Sequence, residues 1–337
     1  MYFDGINPIR VMKYDPDLFL KFYPAALIRM AYVKVTKKKL RSKIYGGGKI
    51  VYNQNVGNEI LKEALKGNEP FMFGRHGVNE VFIALHGMLL ENGVIENMNS
   101  GKLEVACMHS GFFPNTQENY IKFNKLIIDA SSQCDLYGTL RMTGEDYYIK
   151  HFMPKNVKLT HTNMMDFWRY DEPFTYALKG QKVLVVHYLA NQIKDQYEKR
   201  ESLFDNPKIL PEFQLQAMPA VQTIAGNRDE RFESWFDALN YMYEQTKNYD
   251  YDIALLGCGA YGMPLAAKLK KDGKKVVYMG GVLQMLFGIY GKRWDAEPIA
   301  KKLPNEYWTV PDADFIPKNH ESVEGGCAVG SISCHSA

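Results

Sequence analysis

The chain has 337 residues, 46% of them apolar and 23% charged, with a formal net charge of +3. That length suffices to bury a substantial core in one large domain or two smaller ones, and so small a charge excess argues against nucleic acid as a partner. Five cysteines (Cys107, Cys134, Cys258, Cys327, Cys334) form no C-x-x-C pair, which suggests neither a disulfide framework nor a zinc site and fits a reducing cytoplasm.

The opening residues show no signal-peptide pattern, and no apolar run reaches the ~18 residues of a membrane span. Leu18 to Val33 is apolar but broken by Lys21, Pro24 and Arg29, and Lys34, Lys37, Lys38, Lys39, Arg41 and Lys43 follow closely. An apolar helix with a basic edge either packs on the main body with its basic end solvated or lies peripherally on an anionic membrane surface. The sequence therefore divides into a helical, basic extension (1–54), an α/β domain (55–327) and a short tail (328–337).

Asn58 to Leu65 reads as a short helix and Phe71 to Phe73 as a strand. Gly74-Arg75-His76-Gly77 is a turn, and an apolar helix starts at Val78 with Glu80 in its first turn. A carboxylate there complements the helix dipole, and Arg75 on the turn suits bidentate contact with a phosphate. Leu103 to Met108 reads as a strand ending at His109, and Asn115 as the cap of a helix to about Ser132. Cys134 to Leu140 and Lys158 to Thr162 read as strands around a helix from Gly144 to Phe152. Lys182 to His187 is a clearer strand, followed by a charged helix that puts Gln196, Tyr197 and Arg200 on one face, either solvated or lining a pocket. Gln214 to Ile224 alternates like a strand, and Arg231 to Thr246 is amphipathic, with a stripe of Phe232, Trp235, Phe236, Leu239 and Tyr243 expected in the core. Strands alternate with helices from about residue 70 to 290, which predicts a Rossmann-like α/β fold with a mostly parallel sheet.

The most informative stretch is Tyr251 to Trp294. A buried strand, Ile253 to Leu256, runs into Gly257, Gly259 and Gly262 in G-x-G-x-x-G spacing. A helix from Met263 to Lys271 and a second strand from Lys275 to Met279 complete a β-α-β unit. In such a unit the first glycine allows a tight turn, the second a close approach of backbone to phosphate, and the third helix–strand packing. The amides around Gly257, Gly259, Ala260 and Gly262 would then face an anion at the helix N-terminus. The second strand ends in Met279-Gly280-Gly281, without the acidic residue that grips a ribose diol, so NAD is not expected. Lys292 and Arg293 follow as cations for an acidic group, or as a helix cap.

The chain also resembles bacterial polysaccharide-biosynthesis proteins related to the GT-D-type glycosyltransferases. The segments that carry the resemblance are GRHGVNE (74–80), SGFFPN (110–115), QKVLVVH (181–187), QYEKRESLF (196–204), AVQTIAG (220–226), GCGAYGMPLA (257–266), GGVLQMLFGIYGKRW (280–294) and VEGGC (323–327). The resemblance implies a nucleotide-sugar donor, a glycan or lipid-linked acceptor and a divalent Mn or Mg ion held by an Asp-x-Glu motif after an Arg-x-Gly turn. Here Arg75, Gly77 and Glu80 match that motif, while Val78 stands in place of the Asp. Glu80 is thus the candidate for metal or catalytic base, with His187 as a second catalytic candidate. Arg75, Gly77 and the glycine turn are assigned to the diphosphate. Two other readings remain on the residues: a Rossmann-type NAD- or S-adenosylmethionine-dependent enzyme, and a non-catalytic sugar-nucleotide-binding or scaffold protein of polysaccharide assembly, consistent with Val78.

Overall fold

The computed structural model describes residues 6–22, 24–37, 44–98, 100–142 and 144–323. Lys38, Lys39, Arg41 and Lys43, the tail and the cysteines Cys327 and Cys334 lie outside the described residues.

In chain order, helices α1 (Pro8–Tyr14), α2 (Pro16–Phe22) and α3 (Pro24–Thr36) precede a small antiparallel pair, β1 (Ile44–Tyr45) and β2 (Lys49–Ile50). Then come α4 (Gln54–Lys66), β3 (Phe71–Gly74), α5 (Val78–Glu91), α6 (Ser100–Ser110), α7 (Gln117–Ser131) and β4 (Leu136–Thr139). After α8 (Glu145–Phe152), β5 (Lys158–His161) and β6 (Lys182–His187), the chain forms α9 (Ala190–Tyr197), α10 (Arg200–Leu203) and β7 (Gln214–Pro219). It closes with α11 (Trp235–Thr246), β8 (Ile253–Gly257), α12 (Gly262–Lys271), β9 (Lys275–Tyr278) and α13 (Val282–Leu286), followed by short 3₁₀ turns.

Strands β3 to β9 make one seven-stranded sheet in the order β5-β4-β3-β9-β8-β6-β7, every pairing parallel. Strands such as VLVV and IALL are apolar at every position because both faces of a parallel sheet are covered. Alternate residues feed two cores. Leu184, Val186, Ala254, Leu256 and Val276 pack with α5, α7, α11 and α12 on one face. Val183, Val185, Ile253, Leu255 and Val277 pack with α4, α9 and α13 on the other. The aromatic stripe of α11 is core: Trp235 and Leu239 are buried, and Phe232, Phe236 and Tyr243 pack against the same cluster.

Three expectations need correction. Residues 103–108 lie within α6 and not in a strand; Leu103, Ala106, Cys107 and Ser110 are the buried positions, a spacing of three and four that only a helix presents on one side. His109 therefore lies in the last turn of α6 and not at a strand end. The cap of α7 is Thr116 and not Asn115; its hydroxyl accepts from the Asn119 N–H. Finally, β7 stops at Pro219 and α11 starts at Trp235 behind a Ser234–Asp237 capping box. The freed residues 220–224 become a loop.

The N-terminal helices are fastened to α8. The Tyr147 hydroxyl donates to Asp15 at 2.7 Å, Asp17 pairs with Lys150 at 3.0 Å, and Lys21 pairs with Asp146 at 3.0 Å. Phe22 is fully buried against Gly144, where any side chain would collide with its ring. Burying that phenyl group contributes about 2 kcal/mol. Beyond it, α3 exposes Leu27, Ile28 and Val35.

Candidate functional site

In a doubly wound sheet a crevice opens where the connections leave neighbouring strands in opposite directions. Here β6 leads outward through α9 to β7, while β8 leads inward through α12 to β9, and α9 and α12 cover opposite faces. The carboxyl ends of this pair are His187 and Gly257, which face each other in register. A cleft of about 370 Å³ lies there, lined by Arg75, Gly77, Val78, Glu80, His109, His187, the 220–224 loop, Gly257 to Ala260, Tyr278, Gly280, Gly281, Arg293 and His320.

The glycine turn forms one wall. A Cβ on Gly257 would lie 2.4 Å from the His187 ring and 3.1 Å from the Gly280 carbonyl, so three segments converge only because this residue has no side chain. Gly259 has open space around it but a φ of +57°, so its requirement is conformational. The turn is held from several sides. The Tyr278 hydroxyl donates to the Gly259 carbonyl at 2.7 Å, Tyr261 stacks on Trp235 at 4.5 Å, and the Tyr261 and Thr223 hydroxyls bond at 2.9 Å. Gly262 lies outside the cleft; its α-carbon packs on the Tyr278 ring, which a Cβ would approach to 2.1 Å. It thus serves the helix–strand contact and not the ligand. The first amides of the 3₁₀ turn Gly259–Tyr261 precede the acceptors that a helix provides, leaving them available to an anion.

The opposite wall carries the charges. Arg75 extends from the turn after β3 and lays its guanidinium 4.7 Å over the Tyr278 ring. It passes directly above Gly280, where a Cβ would stand 1.9 Å from Nη2. Arg75 makes no ion pair among the described residues. Arg293 lines the same cleft, whereas Lys292, its exposed neighbour, does not. Glu80 is the third residue of α5, and its carboxylate folds back onto Gly77; a Cβ there would meet Oε2 at 1.7 Å. The Ser110 hydroxyl donates to Glu80 Oε1 at 3.3 Å. Val78 is 50% exposed and also lines the cleft, so the position at which the resemblance leads one to expect an Asp opens toward the cleft and not into the core. Burial, the largest effect, raises the pKa of Tyr278, and Arg75, Glu80, Cys258 and Arg293 also act on its phenol.

Among the described residues, no three His, Cys, Asp or Glu side chains are grouped to hold a metal ion. Glu80 is the one carboxylate among the described lining residues. A single carboxylate does not build a resident divalent site.

His187 is buried, which pushes its pKa down to about 3, and its Nδ1 accepts from the Leu189 N–H at 3.1 Å. The ring is therefore neutral, with its proton on Nε2. In this state it presents a hydrogen-bond donor to the cleft. Gln196, Tyr197 and Arg200 are not in the cleft. Gln196 donates to the carbonyls of Gly288 and Tyr307, Tyr197 bonds the Phe213 backbone, and Arg200 pairs with Glu201.

Sequence reading missed the support beneath the arginine turn. Glu145 is fully buried at the start of α8, and it accepts from the Tyr137 hydroxyl at 2.7 Å and the Tyr45 hydroxyl at 3.2 Å. It also accepts from the Thr139 hydroxyl and from the amides of Leu140 and Arg141 at 3.1 and 3.0 Å. Tyr137 in turn bonds His76 Nδ1 at 3.0 Å, and His76 Nε2 bonds Ser131 at 3.0 Å. His76 adjoins Arg75, and Leu140 lines the cleft, so one buried network fixes two rims of the site.

His76 and His187 both have pKa values lowered to about 3 by burial. The unfolded chain takes up these protons near pH 6.5, while the folded one does not. Their stabilising contribution is present above pH 6.5 and lost as pH falls toward 3. Each should lower stability by on the order of 1 kcal/mol per pH unit across that window. Denaturant titrations at pH 7, 6 and 5 check this; a His187→Gln chain with the same slope as wild type would contradict it.

No protein-family model matches the chain, and no curated protein does. Two solved structures align with it, one described as the domain of unknown function 1792 with a distinct glycosyltransferase fold, the other as a selenomethionine-substituted structure of the same domain. Both are 10% identical over 79% of this chain and 98% of theirs, with TM-scores of 0.33 and 0.34. Likeness that weak carries no argument.

Proposed function

We propose that this protein is a glycosyltransferase-like protein that binds a nucleotide-sugar in the cleft between the glycine turn and Arg75. The observation that supports it is the meeting, at the switch point of the sheet, of turn amides on one wall with two arginines on the other. Both are donors suited to a diphosphate. In the reaction, an acceptor hydroxyl attacks the anomeric carbon, the bond from that carbon to the diphosphate oxygen breaks, and the diphosphate leaves with the electron pair. Amides of Gly259 and Ala260 with Arg75 and Arg293 stabilise the charge that grows on it. Glu80 takes the proton of the acceptor hydroxyl. The neutral His187 donates a hydrogen bond to the donor sugar or phosphate. Were an Mn or Mg ion to accompany the diphosphate, Glu80 would be its ligand among the described residues in place of acting as the base. NAD is not expected, because the end of β9 offers Tyr278, Gly280 and the Arg75 guanidinium where a ribose-holding carboxylate would stand.

Calorimetry with UDP, UDP-sugars, S-adenosylmethionine and NAD, in EDTA and in Mn²⁺, tests the reading. UDP should bind and NAD should not. Arg75→Met should weaken UDP by 10- to 100-fold, the worth of about 1.5–3 kcal/mol for hydrogen bonds to a charged group. Glu80→Gln should abolish sugar transfer or hydrolysis while stability changes by about 0.3–1 kcal/mol, the scale of a helix-dipole effect. Equal UDP binding by wild type and Arg75→Met would sink the site. The second reading, a non-catalytic sugar-nucleotide binder, draws on Val78 facing the cleft where the Asp is expected; UDP binding without turnover would favour it.

No helix among the described residues is long and apolar enough to cross a membrane. The proposed setting is the cytoplasmic face of a membrane in polysaccharide biosynthesis, touched by the exposed apolar side chains of α3 and the basic residues after it. Changing Lys34, Lys37, Lys38, Lys39 and Arg41 to Gln should then reduce sedimentation with anionic vesicles, each charge being worth about 1 kcal/mol. Equal sedimentation of both proteins would refute the contact.

A further inference from the structure

Strand β9 lies between β3 and β8, with Val277 beside Phe73 and Tyr278 beside Leu256. Its last residue, Tyr278, therefore stands between the turn that bears Arg75 and the glycine turn that follows β8. It touches both. Its ring lies 4.7 Å from the Arg75 guanidinium, and its hydroxyl donates to the Gly259 carbonyl at 2.7 Å. The side chain is itself held fast: it is 4% exposed, and the bare α-carbon of Gly262 packs on its ring.

We propose that Tyr278 is the positioning residue of the diphosphate site, aiming the Arg75 guanidinium with its ring and the Ala260 amide with its hydroxyl. The inference rests on the nucleotide-sugar reading and adds the group that keeps the two walls in one geometry. The hydroxyl acts through the peptide bond. The Gly259 carbonyl and the Ala260 N–H belong to one planar trans unit, so the bond that holds the oxygen sets the N–H pointing the opposite way. Gly259 needs that hold. It has φ +57° and open space where a side chain would be, so no packing of its own restrains it. The ring acts by another force, the attraction of a cation to the negative face of an aromatic ring. That attraction engages the charge of Arg75 and uses none of its N–H donors, which a phosphate needs.

A double-mutant cycle with Arg75→Met separates these two actions from packing alone. UDP affinity is read on the full chain by ligand-observed NMR titration, which reaches millimolar dissociation constants. Tyr278→Phe keeps the ring and should weaken UDP about three- to ten-fold, the worth of one hydrogen bond. Tyr278→Leu removes the ring as well and should weaken UDP at least about three-fold further. In the Arg75→Met background the step from Phe to Leu should change affinity by less than about two-fold, while the step from Tyr to Phe keeps its full size. A residue that only packs would show the Phe-to-Leu loss undiminished without Arg75, and that outcome overturns the role of the ring. Unchanged UDP affinity in Tyr278→Phe overturns the role of the hydroxyl. Tyr278→Met repeats the second step should the leucine variant unfold. Absent UDP binding in wild type would overturn the nucleotide-sugar reading and this inference together. Normal wild-type binding with either opposing pattern overturns this inference alone.

Discussion

Replacing Glu145 by alanine is expected to destabilise the protein by at least about 3 kcal/mol, because each buried donor left unsatisfied costs about 1–3 kcal/mol. Its carboxylate gathers three hydroxyls and two amides in a fully buried place. Arg141, one of those amides, sits at φ +56°, a conformation that its neighbours must hold. Denaturant unfolding reads the loss, and a midpoint within error of wild type would show that the network contributes nothing. Glu145→Gln is the milder partner, since an amide cannot accept five hydrogen bonds. It should also weaken nucleotide binding, because the network anchors His76 next to Arg75 and Leu140 on the cleft rim. Desolvation raises the folded pKa of Glu145. The sign follows: its protonation-linked contribution is full below about pH 4.5 and declines as pH rises through the folded value. Wild type should therefore lose stability relative to Glu145→Gln over that rise.

Gly280→Ala should cost at least ten-fold in UDP affinity. The added Cβ would lie 1.9 Å from Arg75 Nη2, so the guanidinium must leave its place over Tyr278. Alanine at φ +66° also strains the backbone by about 1–2 kcal/mol. Gly273→Ala separates the two effects, because Gly273 has φ +85° with open space around it and follows α12 at the far end of β9. That variant should lose similar stability and keep wild-type UDP affinity. Equal affinity loss in both would mean that backbone strain, and not displacement of Arg75, weakens the site.

The β-α-β unit from Tyr251 to Tyr278 was legible because its signals are local: an apolar run, three spaced glycines, a helix and a second apolar run. The turn bearing Arg75 and Glu80 was legible for the same reason. What sequence could not give is which distant segments meet. Arg75 crosses Gly280 only because β3 lies beside β9, and spacing along the chain says nothing of that pairing. Glu145 reads as an ordinary acid in the first turn of a helix; its partners Tyr45, Tyr137 and Thr139 come together only in three dimensions. The misreading of α6 was avoidable. Its buried positions fall at a helical period, and β-favouring Val105 and Cys107 obscured it in so short a run.

Strand β9 stands between β3 and β8, so the sheet consists of two three-stranded halves closed by the last strand to be made. Arg75 and Glu80 belong to one half; His187 and the glycine turn belong to the other. Until β9 pairs, each half has an unpaired inner edge and nothing in the sheet holds the two walls of the cleft together. Such late, long-range closure makes for slow folding and leaves partly made chains open to edge-to-edge association.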